Sequence, residues 1–295
     1  MKPAPFGYHR PTDLDEALGA LARTKGKVLA GGQSLIPILN MRLAEPADII
    51  DINRLSELAY VRTENGGVRI GALARHSEVE RDGTTAARLP ILQRALHLVA
   101  HPVIRNRGTV VGSLVHADPA AELPAVLTLL GGSLTLARDG GATRTVPAGE
   151  FFLGPLESAI EPDELATSAY FPMQPGRTGM DISELSRRHG DFALAGVATL
   201  VTVDDERRVD TAKAACFGVG ATPVLVDLSP AVSGLVPGSA PLNGRDWAAA
   251  SDLVRSTIDP DEDIHATAAY RRHLTGVLTA RSLQAAWSRA VGEIQ

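Results

Sequence analysis

The sequence reads as an α+β chain folded in two domains. Its 295 residues suit about two domains of ordinary size. The first fifty alternate helix, strand, glycine turn, helix and strand, whereas later segments pair strands across short polar turns. A stretch with two prolines and two glycines, Phe171 to Met180, then separates these elements from a second group of paired strands and helices. The expected domains are therefore 1–174 and 180–292.

The first element is a helix. Thr12 supplies an N-cap with Asp15 three residues on, and Leu14, Ala17, Leu18, Leu21 and Ala22 recur at i, i+3, i+4, i+7 and i+8 until Gly26. Lys27 to Ala30 is a short buried strand that Gly31-Gly32 breaks. Ser34 caps a helix to about Arg42, with Pro37 tolerated in the first turn, and Ala47 to Ile52 is the next strand. Leu58 to Thr63 and Val68 to Gly71 flank Glu64-Asn65-Gly66-Gly67, a hairpin signal. Leu89 to Ala100 is apolar at helical spacing, Gly108 to Pro119 reads as a loop, and Ala121 to Leu130 as a helix. Ser133 to Ala137 and Thr143 to Val146 form a strand pair, and Leu165 to Phe171 is the last strand before the break. Beyond it, Ala195 to Val203 and Val209 to Phe217 make a hairpin around Asp204-Asp205-Glu206-Arg207. Residues 228–244 read as a loop rich in Ser, Pro and Gly. Trp247 to Ser256 and Ile264 to Ala290 are helical, the latter with Tyr270, Leu274, Val277, Leu278, Leu283 and Trp287 facing a sheet. No repeat at a fixed period is present.

Composition excludes several functions. With 44% apolar and 21% charged residues the chain is globular rather than disordered. A formal net charge of −5 leaves no basic footprint for nucleic acid or an anionic membrane. Six Phe, four Tyr and two Trp are few for stacking bases. The single cysteine, Cys216, excludes an intrachain disulfide, a Cys-rich zinc site, a CxxC pair and a cluster held by four cysteines of this chain. Redox chemistry here needs a borrowed cofactor. The start, MKPAPFGYHRPTD, has no apolar signal core, and the longest apolar stretch, Leu123 to Ala137, is broken by Pro124, Gly131 and Gly132. No secretory signal and no membrane span are expected, and the cytoplasm is the expected compartment.

Two segments carry chemistry. Ala30-Gly31-Gly32-Gln33-Ser34-Leu35 lies between a strand and a helix start, where free backbone N–H groups and missing side chains admit a phosphate. An ordinary glycine-rich turn has the same residues. The second runs from Arg105 to Glu122, RNRGTVVGSLVHADPAAE, with small residues and hydroxyls followed by carboxylates suited to ribose hydroxyls or an adenine amine. Alternatively, it is a surface loop in which Asp118 caps the next helix.

Together the segments resemble a known family. AGGQSLIP at 30–37, followed about eighty residues later by RNRGTVVGSLVHADP at 105–119, is similar to the paired motifs of the FAD-binding medium subunits of molybdenum hydroxylases, the group of aerobic carbon monoxide dehydrogenase and xanthine dehydrogenase. Ile49-Ile50-Asp51-Ile52, Gly71-Ala72, Gly190-Asp191-Phe192-Ala193 and Tyr270-Arg271 resemble further family elements, so the likeness spans the chain. It implies a PCMH or vanillyl-alcohol-oxidase-type FAD-binding domain of two α/β subdomains, about 1–55 and 56–174. A C-terminal domain of the carbon monoxide dehydrogenase flavoprotein type, a small antiparallel sheet with helices, would follow.

The resemblance also implies roles. Ala30, Gly31, Gly32, Gln33 and Ser34 would bind the FAD diphosphate, with Lys27 and Leu35 beside them. Thr109, Val110, Val111, Gly112 and Ser113 would form a second wall. Glu122, with Asp118 nearby, matches a carboxylate near the adenosine. Val99 and Ala100 match positions close to the flavin, Leu165 a position at the ring, and Phe192 an aromatic beside it. No protein acid–base pair is required. Three departures stand out: Val111 replaces a family glycine, Phe192 stands where some members have tyrosine, and Glu184 or a neighbour stands near a lysine seen in others.

The implied activity is oxidoreduction. Electrons would pass from a molybdenum cofactor on a large molybdopterin subunit, through two [2Fe–2S] clusters on a small iron–sulfur subunit, to FAD on this chain and then to an external acceptor. The expected assembly is a dimer of heterotrimers. A self-sufficient flavin oxidoreductase, with His189 or Asp191 as base, is the alternative, and a relative that has lost FAD a further one. Gly218-Val219-Gly220-Ala221-Thr222-Pro223 is a turn rather than a Rossmann loop, because Pro223 stands at the third glycine. His97 and His101 share i, i+4 spacing, but Pro102 ends the helix there. Cys216 reads as a buried small hydrophobe.

Overall fold

The computed structural model describes residues 2–174, 176–238 and 245–293. Positions 239–244 of the expected 228–244 loop, and Pro175 of the expected linker, lie outside the described residues. The chain forms two compact units. One comprises the chain up to Arg88 with His101–Ala117 and Gly132–Pro172; the other comprises Leu89–Ala100, Asp118–Gly131 and the chain from Met173 on.

The first unit holds two sheets. In the smaller, Asp48–Asp51 lies between Gly7–His9 and Lys27–Leu29, all parallel. The outer strand Gly7–His9 was hidden by the preceding Pro3 and Pro5 and by Gly7, residue types depleted in strands. Helix Leu14–Thr24 buries Ala17, Leu18, Ala20 and Leu21. Its cap is Asp13, which accepts from the Glu16 N–H at 2.8 Å, and not Thr12, which instead donates to the Glu16 carboxylate. A carboxylate suits the positive helix end better than a hydroxyl does. The helix stops on Lys25 at φ 52°, one residue before Gly26.

The larger sheet runs Val61–Glu64, Gly67–Gly71, Leu165–Pro172, Ser133–Ala137 and Thr143–Pro147, antiparallel throughout. Asn65 and Gly66 both take positive φ in the first turn, as a two-residue hairpin requires. The expected loop over 108–119 is corrected: Val110–His116 is a helix that buries Val110, Val111 and Leu114. Gly112, Ser113 and the following Ala-Asp-Pro disguised this short amphipathic turn. Four further short helices, His76–Arg81, Gly83–Arg88, Pro102–Arg105 and Ala148–Phe151, and the hairpin Phe152–Gly154 with Glu157–Ser158, carried no clear periodicity.

The second unit is built on an antiparallel sheet, Arg177–Leu185, Ala195–Val203, Val209–Phe217 and Val224–Asp227 in order. The expected linker is shorter than 171–180, because strands reach Pro172 and resume at Arg177. Helix Ala268–Ala290 packs on the first two strands, with Thr199 Oγ1 and Ser282 Oγ 2.7 Å apart and Leu283 and Trp287 buried. Helices Pro90–Leu98 and Glu122–Leu130, which precede the linker in sequence, pack against this same sheet. That explains why Leu123 to Leu130 is buried without a break. The last helix starts at Ala268, capped by Thr267, rather than at Ile264, and Tyr270 is exposed while Arg271 is buried. Within the expected 228–244 loop, Ser229–Val232 is helical.

Candidate functional site

The glycine run leaves the sheet directly after Lys27–Leu29 and enters helix Leu35–Asn40. Gly32 takes φ +74°, a conformation that side chains rarely adopt, and a Cβ there would lie 3.1 Å from Leu29 Cδ1 and 3.2 Å from Ile36 Cγ1. Ser34 stands at the N-cap without bonding its side chain to the backbone. Gln33 Nε2 donates to Gly31 O at 3.3 Å.

The second motif meets the first at Gly31. A Cβ on Gly31 would lie 2.5 Å from Arg107 O, 2.7 Å from Gly108 Cα and 3.1 Å from Thr109 N. Only glycine lets the two backbones touch. Side chains from elsewhere tie them. Asn53 Nδ2 donates to Ala30 O at 2.8 Å, and Arg75 donates through Nη2 to Asn53 Oδ1 at 2.7 Å and through Nη1 to Arg107 O at 2.6 Å. Asn53 also donates to Asp51 Oδ1 at 2.6 Å, and the Tyr8 hydroxyl to Asp51 Oδ2 at 2.5 Å. Burial by itself raises the Asp51 pKa; the bonds from Tyr8 and Asn53 outweigh it and hold the carboxyl below its usual range. Thr109 caps its helix by accepting from the Gly112 N–H at 3.2 Å. The His76 N–H donates to Gly108 O at 2.9 Å, fixing the turn from behind.

Beside these loops lies a cavity of about 450 Å³, lined by residues 29–33, Ile36, Pro37, Asp51, Asn53 and Arg107. Its polar wall is two side-chain amides, backbone, and one guanidinium, and its carboxylate is already bonded to Tyr8 and Asn53. A Gly32 Cβ would project between Leu29 and Ile36, which line the same space. This donor set fits a diphosphate anion.

The remaining expected site residues divide between the units. In the first, Lys27 is exposed, Thr109, Val110 and Val111 are buried, Gly112 and Ser113 are half-buried, and Leu165 is buried at the start of the central strand. The Val111 side chain is buried, as are those of Val110 and Leu114. In the second, Ala100 follows helix Pro90–Leu98 at φ 44°. Asp118 does not cap the next helix: it accepts from the Ala120 N–H at 2.8 Å, and Ala121 is the cap residue. Glu122 opens that helix; burial, with the Glu184 carboxylate adding to it, pushes its pKa up to about 8. Burial raises Glu184 to about 7. Phe192 is 73% exposed on a turn whose Leu194 O accepts from Arg271 Nη1 at 2.5 Å. Cys216 is buried, its thiol pushed up to about 12, and among the described residues no His, Cys, Asp and Glu group is placed to hold a metal. No helix of the described residues is long and apolar enough to cross a membrane.

Sequence reasoning missed Asn53 and Arg75, and read Asp51 and Arg107 only as parts of longer runs. Asn53 and Arg75 act on main-chain carbonyls, which leave no residue-type signature.

A sequence model of the FAD binding domain in molybdopterin dehydrogenase matches residues 4–174, and one of the CO dehydrogenase flavoprotein C-terminal domain matches 182–286. The chain belongs to the FAD-binding medium subunits of the molybdenum hydroxylases. As such a medium subunit it is 39% identical over 294 residues to the caffeine dehydrogenase subunit beta of Pseudomonas sp. (strain CBB1), covering 99% of this chain and 98% of that one. It is 33% identical over 296 residues to the carbon monoxide dehydrogenase medium chain of Hydrogenophaga pseudoflava, covering 98% and 99%. The solved carbon monoxide dehydrogenase of Hydrogenophaga pseudoflava that lacks the Mo-pyranopterin moiety superposes with a TM-score of 0.90 at 34% identity, covering 98% of this chain and 99% of that one. The medium subunit is thus part of an oxidoreductase, and FAD is its cofactor.

Proposed function

We propose that this medium subunit passes electrons from [2Fe–2S] clusters on a small iron–sulfur subunit, through its FAD, to an external acceptor. The clusters would in turn be reduced from a molybdenum cofactor on a large subunit, within a cytoplasmic dimer of heterotrimers. The observation that carries the reading is the contact of the two motif loops at Gly31 beside a cavity suited to a diphosphate. FAD, when bound, supplies the redox chemistry. The chain's residues bind and orient it. Ala30 to Leu35 and Thr109 to Ser113 offer small residues and backbone to the diphosphate, and Asn53 and Arg75 hold the two loops in register. Lys27, Ala100, Asp118, Glu122, Leu165 and Phe192 are assigned to the same cofactor on family resemblance alone.

The test is recovery of a tagged chain from its native cells. The expected product is yellow, with FAD absorbance, accompanied in equal amounts by a cluster-bearing small subunit and a molybdopterin-bearing large subunit. On anaerobic reduction, the clusters and then the flavin should bleach, and an added quinone or oxygen should restore the flavin band. A chain recovered alone, or a complex whose flavin stays oxidised while its clusters are reduced, overturns the proposal.

A further inference from the structure

Arg107 lines the cavity; Arg75 does not, but its guanidinium holds the Arg107 main chain, and neither guanidinium forms an ion pair among the described residues. Arg75 directs its guanidinium to two neutral oxygens, Asn53 Oδ1 at 2.7 Å and Arg107 O at 2.6 Å. Arg107 lines the cavity, and its guanidinium makes no hydrogen bond or ion pair among the described residues. The cavity carboxylate, Asp51, is taken up by Tyr8 and Asn53. Burial and then the charge of Arg107 depress the Arg75 pKa, against the smaller pull of Glu78 and Asp51. Asp51 and Glu78 offset part of this charge, and the Arg107 guanidinium stays unpaired beside the glycine loop among the described residues. Like charge also disfavours folding the Arg107 guanidinium back over Arg75.

We propose that Arg107 is a binding residue for the diphosphate of the cofactor, and that Arg75 is a positioning residue that fixes the Arg107 backbone against Gly31. This rests on the flavin reading above. A guanidinium offers phosphate oxygens two parallel N–H donors where an ammonium offers a point charge. The Arg107 side chain is exposed, so its role is separable from folding. Arg75 acts through the main chain, so its loss should weaken binding without removing its dependence on salt.

The test uses the full chain stripped of flavin, titrated with FAD and, separately, with inorganic diphosphate at low and high salt. Arg107→Gln is expected to weaken both ligands about tenfold at low salt and to flatten the salt dependence, with the thermal midpoint unchanged. Arg107→Lys should keep the salt dependence and recover part of the affinity. Arg75→Lys should weaken FAD and retain the salt dependence. Equal FAD affinity and equal salt dependence in Arg107→Gln overturn the inference and leave the flavin reading standing. Diphosphate binding that needs Arg107, without FAD binding, overturns the flavin reading and, with it, the assignment of Arg107 to the cofactor. Binding of neither ligand by the unaltered chain overturns both.

Discussion

Replacing Gly31 by alanine tests the meeting of the two loops. The added methyl would sit 2.5 Å from Arg107 O and 2.7 Å from Gly108 Cα. Ordinary contact begins near 3.4 Å, so the backbones must part by about 0.9 Å. Every atom in the way is main chain, so no side-chain rotation relieves the clash. Both sides are held: Ala30 O by Asn53 at 2.8 Å and Arg107 O by Arg75 at 2.6 Å. Overpacking of this kind costs about 1–3 kcal/mol. Weakening the charge-assisted bond to Arg107 O adds part of the ~1.5–3 kcal/mol such bonds contribute. The expected loss of stability is about 2–4 kcal/mol by urea unfolding of the flavin-free chain. FAD affinity should fall at least about tenfold, because an ångström of misplacement disrupts a preorganised site. Gly149→Ala is the control: nothing lies within 4 Å of its Cβ, and its stability should match the parent or exceed it by up to about 1 kcal/mol. If Gly31→Ala unfolds at the parent's urea concentration and binds FAD equally well, the contact does not have the role assigned to it.

Three further outcomes follow from buried charge. His76, 4% exposed, has its pKa depressed to about 4, first by burial. The unfolded chain takes up this proton near pH 6.5 and the native ring only near 4, so stability falls as pH drops through that window, by about 3 kcal/mol in all; His76→Leu should flatten the acid limb of a pH series of urea midpoints. Glu122 and Glu184 have the opposite sign: their native pKa values, about 8 and about 7, lie above the ordinary 4.5. Their stabilisation is complete below pH 4.5 and is lost as pH rises through 7–8, so Glu184→Gln should gain stability over the parent at pH 8 and match it at pH 4; equal midpoints at pH 8 would contradict this. Arg271, 7% exposed, donates to Leu194 O, Gly218 O and Asp263 Oδ2. Arg271→Met should therefore cost about 2–4 kcal/mol in urea unfolding and increase hydrogen exchange around Leu194.

Much of the fold was legible locally. The helix Leu14–Thr24, the strand Lys27–Leu29, the hairpin at Asn65-Gly66 and the Ala195–Val203/Val209–Phe217 pair each follow from periodicity and turn chemistry within a few residues. Local signals failed where a partner far along the chain decided the outcome. Gly7–His9 is a strand because Asp48–Asp51 offers it an edge, despite two preceding prolines. Val110–His116 is a helix because Val110, Val111 and Leu114 find a core, although glycine and serine dilute the pattern. At the candidate site, Gly31, Gly32 and Thr109 to Ser113 were marked by their motifs. Asn53 and Arg75 were not.

Read alone, the order of residues was enough to point to family and cofactor, because AGGQSLIP and RNRGTVVGSLVHADP are each contiguous and resemble the paired motifs of one family. A single cysteine likewise excluded a cluster held by four cysteines of this chain. Folding in three dimensions was needed to show that Gly31 is glycine to admit another stretch of backbone, and that Asn53 and Arg75 clamp that contact. It also assigned helices Pro90–Leu98 and Glu122–Leu130 to the C-terminal sheet. The reason is common to both. A hydrogen bond to a carbonyl, or an apolar face seeking cover, specifies no partner residue and no sequence distance, so only the packed chain reveals which one it met.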